Sequence, residues 1–204
     1  MGLFFLAQGI ALTRHGNLGI SPISSVPNVM SLHFEEISMG TWMIIWNFVF
    51  ILGQIMILRR NFKPIQFLQI PLSILFGWFA DFGLFVLEYV PVNSYPVQLA
   101  FVLVGIGVSG FGVSLAATAG ALLNSPEAFM KAVSDTFKKE FGNIKIGVDI
   151  SCVLLGIVLS LLFFNFTLVG VREGTILSAL LTGHVVKFFT RRLKESVNRY
   201  CAKK

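Results

Sequence analysis

Apolar runs separated by short polar breaks divide the chain into six segments with the character of membrane spans. They run roughly over 2–12 continuing toward 20, then 41–58, 64–87, 99–123, 146–168 and 174–190. Two uncharged stretches set the class: 38 residues from Tyr89 to Pro126 and 22 from Ile150 to Val171 contain no Asp, Glu, Lys or Arg. A bilayer core takes about 20 apolar residues per helix. The pattern predicts an all-α polytopic membrane protein of about six transmembrane helices. The first span is short, because Arg14 and His15 follow only eleven residues of Gly2 to Leu12. Either the helix runs on past Arg14 or the first span begins upstream of Met1; a signal peptide fits less well, with no basic n-region and no small-residue cleavage site.

Charge fixes the expected topology. With six spans both termini share a side, and on that side fall Arg59, Arg60 and Lys63, then Lys131, Lys138, Lys139 and Lys145. The last group there is Lys187, Arg191, Arg192, Lys194, Arg199, Lys203 and Lys204. These are 14 of the 16 basic residues, and only Arg14 and Arg172 lie opposite. Cytoplasmic loops carry the excess of Lys and Arg, so both termini are expected in the cytoplasm.

Composition agrees: 55% of residues are hydrophobic and 13% charged, against about a quarter charged in soluble domains. This excludes a soluble enzyme, a secreted disulfide scaffold and a nucleic-acid module. The net charge of +6 reads as membrane topology rather than as a nucleic-acid footprint. Cys152 lies in the fifth span and Cys201 in the basic tail, neither beside a ligand-spaced Cys or His, so neither a disulfide nor a metal or cofactor site is expected. No GxSxG, HExxH or phosphate loop points to catalysis, and a non-enzymatic role is expected.

The halves echo each other at offsets of 103 to 106. Gly9-Ile10-Ala11-Leu12 resembles Gly112-Val113-Ser114-Leu115, Ser21-Pro22 matches Ser125-Pro126, and Leu75-Phe76-Gly77-Trp78 lines up with Leu181-Thr182-Gly183-His184. The expected organisation is a three-helix repeat over 1–90, a second over 91–190 and a basic tail over 191–204. An odd number of spans per copy inverts the second copy, the architecture that supports alternating access around a site between the halves. Doubling for stability alone is the competing reading.

The Ser-Pro pairs are good helix starts, Ser as N-cap and Pro in the first turn. In the second copy, Phe129, Val133, Phe137 and Phe141 recur every four residues with Lys131, Lys138 and Lys139 off that line. This predicts an amphipathic helix on the cytoplasmic surface, with 125–143 a possible partner-docking segment. The first copy, Ser21 to Phe34, has almost no charge. It reads either as a re-entrant helix whose N-terminal amides face an anionic group, or as a capped surface helix.

Ionisable and amide groups within the spans are the candidate site. Asp81 stands about 25 Å up the third helix from Pro64, at a depth similar to Arg14 and Arg172, and an Asp81–Arg pair would be a gate, a clamp or a static tie. By the repeat, Asp149 and Lys187 form the inner counterpart, unless Lys187 snorkels to headgroups. Asn47 and Gln54 share a face, as do Gln66 and Gln69, and such amides suit an uncharged or zwitterionic ligand or else tie helices together. His184 carries either a proton or a packing contact. Gly105, Ser109, Gly112, Ala116 and Gly120 form a small-residue face on the helix over 99–123, a packing or homodimer surface. Pro71 permits a break in the third helix.

Gly16-Asn17-Leu18-Gly19-Ile20-Ser21-Pro22-Ile23-Ser24-Ser25-Val26-Pro27, followed by Met30-Ser31-Leu32, resembles the signature loop of the YczE/YyaS/YitT-type bacterial membrane proteins. Val171-Arg172-Glu173-Gly174-Thr175-Ile176 and Leu181-Thr182-Gly183 resemble that family's last-helix motif, and the likeness runs from Gly9 to about Phe189. Members usually carry a basic start and a full first helix, which this chain lacks. The resemblance implies the bacterial inner membrane and suggests transport.

The function expected is therefore that of a small-solute transporter in contact with membrane lipids. Asn47, Gln66, Gln69, Asp81, Ser21, Ser24 and Thr175 would contact substrate, and Arg14, Asp81, Arg172, Asp149 and Lys187 would form gates or ion pairs. The alternatives are a partner-dependent substrate-binding subunit of an energy-coupled importer and a membrane scaffold or regulator.

Overall fold

The computed structural model describes residues 1–118 and 124–201, with only the backbone over 194–201. Gly120 and the side chain of Cys201 lie outside the described residues. Among those described there are eight α-helices and no strand: α1 Gly2–His15, α2 Ser25–His33, α3 Met39–Leu58, α4 Gln69–Leu87, α5 Tyr95–Thr118, α6 Ser125–Phe137, α7 Phe141–Phe163 and α8 Glu173–Cys201. A 3₁₀ turn, Pro22–Ser24, leads into α2, and another, Pro64–Leu68, leads into α4. Pro71 therefore sits in the first turn of α4, where its missing N–H costs nothing, and the break falls just before it.

Four helical stretches are long and apolar enough to cross a membrane: Met39–Asn61, Pro64–Leu87, Tyr95–Thr118 and Phe141–Phe163. Their apolar windows have mean hydropathies of 1.9 to 2.5, yet only 17% to 39% of each is buried in the protein. Leu52, Met56, Phe85 and Leu162 all point outward. An apolar surface this extensive is stable against lipid, not water. The outer two expected spans are different. At 14 residues α1 is about 21 Å long, shorter than the hydrocarbon core. It does not continue toward residue 20, because Asn17 (φ +55°) and Gly19 (φ +110°) turn the chain out of the helix. The last helix, α8, is 29 residues long and carries the basic tail.

Small residues set the centre of the bundle. Antiparallel helices α1 and α5 approach so closely that a Cβ on Gly9 would lie 2.4 Å from Ser109 N, and one on Gly112 2.4 Å from Leu6 N. At the ends of this seam Gly2 meets Gly112 and Ala116, while Gly16 meets Gln98. The small-residue face of α5 is thus filled by α1 of the same chain. On α1 lies α4, tied by the Gln8 amide donating to Phe79 O (2.8 Å), and on α5 lies α8, with Val185 over Gly110. Outside these, α3 packs on α4 and α6, and α7 on α2 and α6.

Helix α6 departs from expectation. It is not a surface helix lying on its phenylalanine line: Ser125, Pro126, Ala128, Met130, Ala132 and Ser134 are buried, whereas Phe137 is 63% exposed. Its first turns are inserted between α3 and α7, with Phe129 over Gly53, and only its C-terminal end emerges. The buried side chains are mostly small, so the helix enters the bundle by close approach rather than by large apolar contacts.

Candidate functional site

Two short helices begin inside the bundle. After α1 the chain doubles back through Leu18 and Ile20, both fully buried. Gly174 N donates to Leu18 O (2.7 Å), and Ile20 N donates to the Thr175 hydroxyl (3.3 Å). Gly19 is required here twice over: its φ is +110°, and a Cβ would lie 2.5 Å from Thr175 Oγ1. This loop delivers Ser21 and Pro22 into the interior, where α2 starts. There the Ser25 hydroxyl donates to Cys152 O of α7 (3.0 Å). The other short helix is held in the same manner. Gln54 donates to Ser125 O (3.1 Å), Ser125 and Ser73 hydroxyls bond at 3.1 Å, and the Gln54 and Gln69 amides exchange hydrogen bonds at 3.0 and 3.2 Å.

The two helix starts face a common cavity of about 70 Å³, lined by Ser21, Ser24, Asn47, Asn124 and Glu127 over an apolar floor of Leu6, Ile10 and Phe76. It shares Ser21, Ile23 and Glu127 with a second cavity of about 140 Å³, whose far wall holds Ser109, Lys145, Asp149 and Ser178. Ser21 before the 3₁₀ turn, Ser24 at the N-cap of α2 and Asn124 at the N-cap of α6 all leave their helix starts without a side-chain cap. Both ends also carry the positive pole of a helix dipole.

Unsatisfied polar atoms gather at the same place. Among the described residues, Trp46 Nε1, Asn47 Nδ2, Glu127 Oε2, Asp149 Oδ1 and Ser178 Oγ are buried without a hydrogen-bond partner in the chain, and the residues of all five line these cavities. A buried unsatisfied group costs about 1–3 kcal/mol. Five around two adjoining cavities mark a surface built to be completed by water or solute.

The residues singled out in the sequence divide into three sets. Ser21, Ser24 and Asn47 meet at the cavity. Asp149 lines the second cavity, with its other oxygen accepting from Lys145 (3.1 Å) and not from Lys187, whose side chain is exposed. The remainder serve the scaffold or lie apart from both cavities. Gln66 accepts from Lys63 N (3.0 Å) in the turn before α4, and Gln69 is committed to Gln54. Asp81 accepts from the Ser38 hydroxyl (2.6 Å) and from Gly40 N (2.7 Å), anchoring the start of α3, and makes an ion pair with neither arginine. Thr175 fastens the Ile20 loop. Arg172 donates to Asn17 O (3.3 Å) and pairs with Glu173 (3.1 Å). With Arg14 and Asn28 it lines a separate pocket of about 60 Å³ at the end of the bundle where α1 stops and α8 starts. His184 is exposed, its Nδ1 3.0 Å from Leu180 O in its own helix.

Glu127, Asn124, Lys145 and Ser178 were not picked out by the sequence as site residues. For Glu127 the available signal was the repeat itself: a re-entrant reading for Ser21-Pro22 applies equally to Ser125-Pro126, and it carries Glu127 indoors.

The profile of the family of unknown function DUF6198 matches residues 1–191, a stretch that contains every residue of both cavities. The chain belongs to this family. It is also similar to the uncharacterized membrane protein YczE of Bacillus subtilis (strain 168), with 30% identity over 189 residues, 92% of this chain and 81% of YczE. No solved structure matches. The DUF6198 assignment agrees with the likeness carried by the Asn17-to-Pro27 loop, and the chain is a membrane protein with several apolar helices.

Proposed function

We propose that this DUF6198 protein moves a small polar solute across the bacterial inner membrane by alternating access between two inverted three-span halves. The first half comprises α1, α3 and α4 with α2 as a re-entrant piece, and the second comprises α5, α7 and α8 with α6. Support comes from contacts that recur under exchange of the halves: α1 runs antiparallel to α5, α4 covers α1 as α8 covers α5, and α2 meets α7 as α6 meets α3, although α7 and α8 do not match the packing of α3 on α4. The positive-inside distribution supports both termini in the cytoplasm.

One observation carries the reading: two helix starts without side-chain caps, one from each half, converge on one cavity with the unpartnered Asn47 amide and Glu127 carboxyl, beside a second cavity that holds the unpartnered Ser178 hydroxyl. Half-helix ends around a central site are how membrane carriers satisfy irregular backbone while binding solute. A water needs roughly 10–15 Å³ of such space, so the 70 Å³ cavity holds about five waters or a comparably small solute. Its donors and acceptors suit an uncharged or zwitterionic molecule.

A thermal-shift screen of detergent-solubilised protein against small polar metabolites tests this. At a hundred times its dissociation constant, a ligand of the folded state alone stabilises by about 2.7 kcal/mol. The expected result is a hit whose stabilisation is lost in Asn47→Leu and kept in Gln66→Ala. Hits indifferent to Asn47 remove the cavity as the solute site. A second reading, a partner-dependent importer subunit, is favoured by the exposed pair Phe137 and Phe141 beside Lys138 and Lys139. Solute uptake by the purified chain alone in liposomes eliminates it.

A further inference from the structure

Glu127 stands in the first turn of α6, in the wall shared by the two cavities, and its Oε2 has no partner in the chain. The charged groups that face it are Lys145 and Asp149 of α7, and Lys145 is already committed to Asp149 at 3.1 Å. The faces that α1, α3, α4, α5 and α8 turn toward it carry Ile10, Asn47, Phe76, Ser109 and Ser178, none of them ionisable. Asn47 and Ser178 are 4% and 1% exposed, and each keeps an unpartnered polar atom, Asn47 on the first cavity and Ser178 on the second. Two carboxylates against one ammonium leave an excess negative charge inside a bundle that lies in lipid. An uncompensated buried carboxylate is untenable and must be neutralised. Hard metal cations require about six oxygen ligands. Among the described residues no group of three or more His, Cys, Asp or Glu side chains comes together to begin such a set.

We propose that Glu127 is a proton-carrying acid gated by Lys145. While Lys145 is held by Asp149, Glu127 keeps its proton as a neutral carboxylic acid. When the ammonium turns to Glu127, the O–H bond breaks, the proton passes through water in the cavity to Asp149, which has lost its partner, and the Glu127 carboxylate is left paired with Lys145. Transport through the cavity is thereby coupled to a proton gradient. The proposal deepens the transport reading, but proton binding is measured on protein that need not transport, so either idea fails without the other.

The test is infrared difference spectroscopy of the full chain in lipid during a pH titration. The carbonyl band of a protonated carboxylic acid is expected at neutral pH and bleaches as pH rises. It is absent in Glu127→Gln and persists, displaced, in Glu127→Asp. Removing the ammonium in Lys145→Met stabilises the neutral acid and moves the bleaching to higher pH by about 1–3 units. Combined with Asp149→Asn, which removes the other carboxyl that Lys145 pairs, the Lys145→Met shift is read on native Glu127 and decides the matter even if Glu127→Gln folds poorly. A band that survives Glu127→Gln, or a wild-type protein without the band at neutral pH, overturns the proposal. So does a band bleached by sodium at constant pH, which would make Glu127 a metal-cation ligand instead.

Discussion

Asp81 shows how an intramembrane charge serves backbone. Its two oxygens take the Ser38 hydroxyl and Gly40 N, so the carboxylate does for α3 what an N-cap side chain does, reaching from a neighbouring helix. Depth and charge alone give it the same profile as a gate, because both roles place an acid within a span and only the positions of the donors separate them. Asp81→Asn keeps the shape and loses charge-assisted acceptance, so it should lower unfolding stability in detergent by about 1–2 kcal/mol while leaving solute binding at Asn47 unchanged. Loss of binding with no loss of stability would return Asp81 to the site. Gln54 and Gln69 make the same point: each amide satisfies the other, and Gln54 also holds Ser125 O, so they position the start of α6.

At the scale of elements, the sequence was legible where lipid does the selecting. Helices bathed in hydrocarbon must be apolar nearly all round, which is why 41–58 and 64–87 were found within two residues of Met39–Leu58 and of the stretch from Pro64 to Leu87. Starts at Tyr95 and Phe141 were missed by four and five residues, since Pro96 and Lys145 read as breaks yet lie inside the helices. Helix α6 was misread because hydropathy weighs the large phenylalanines, whereas the buried face is built from Ser125, Ala128 and Ala132. Close approach is the recurrent device, and it is open to test on the α1–α5 seam. Gly9→Val places carbon where Ser109 N lies 2.4 Å from the Cβ position, and should destabilise by about 1–3 kcal/mol or more. Gly107→Ala on the open side of α5, where a Cβ meets nothing within 4 Å, should instead be neutral or stabilising by up to about 1 kcal/mol. Equal effects at both positions in a thermal unfolding assay would contradict the packing described.

For the whole molecule, the proposed design is two copies, each offering a helix start to a shared cavity, a proposal that rests on the repeat offsets of 103 to 106 and on the contacts that recur between the halves. The polar content of that cavity is unequal between the copies. Around α2 it is Ser21, Ser24 and Asn47, and around α6 it is Glu127, with Lys145 and Asp149 beyond. No reading of spacing along the chain brings these together, because they are joined only when both short helices turn inward.

The central claim is that this cavity opens to each side of the membrane in turn, and the most direct measurement is thiol labelling of Ser24→Cys. Cys152 is removed as Cys152→Ala, which keeps the backbone carbonyl that Ser25 uses, and Cys201 as Cys201→Ser. A membrane-impermeant maleimide is then applied to right-side-out and to inside-out vesicles. The account predicts labelling of position 24 from both sides. Labelling from one side only, or from neither, would contradict it.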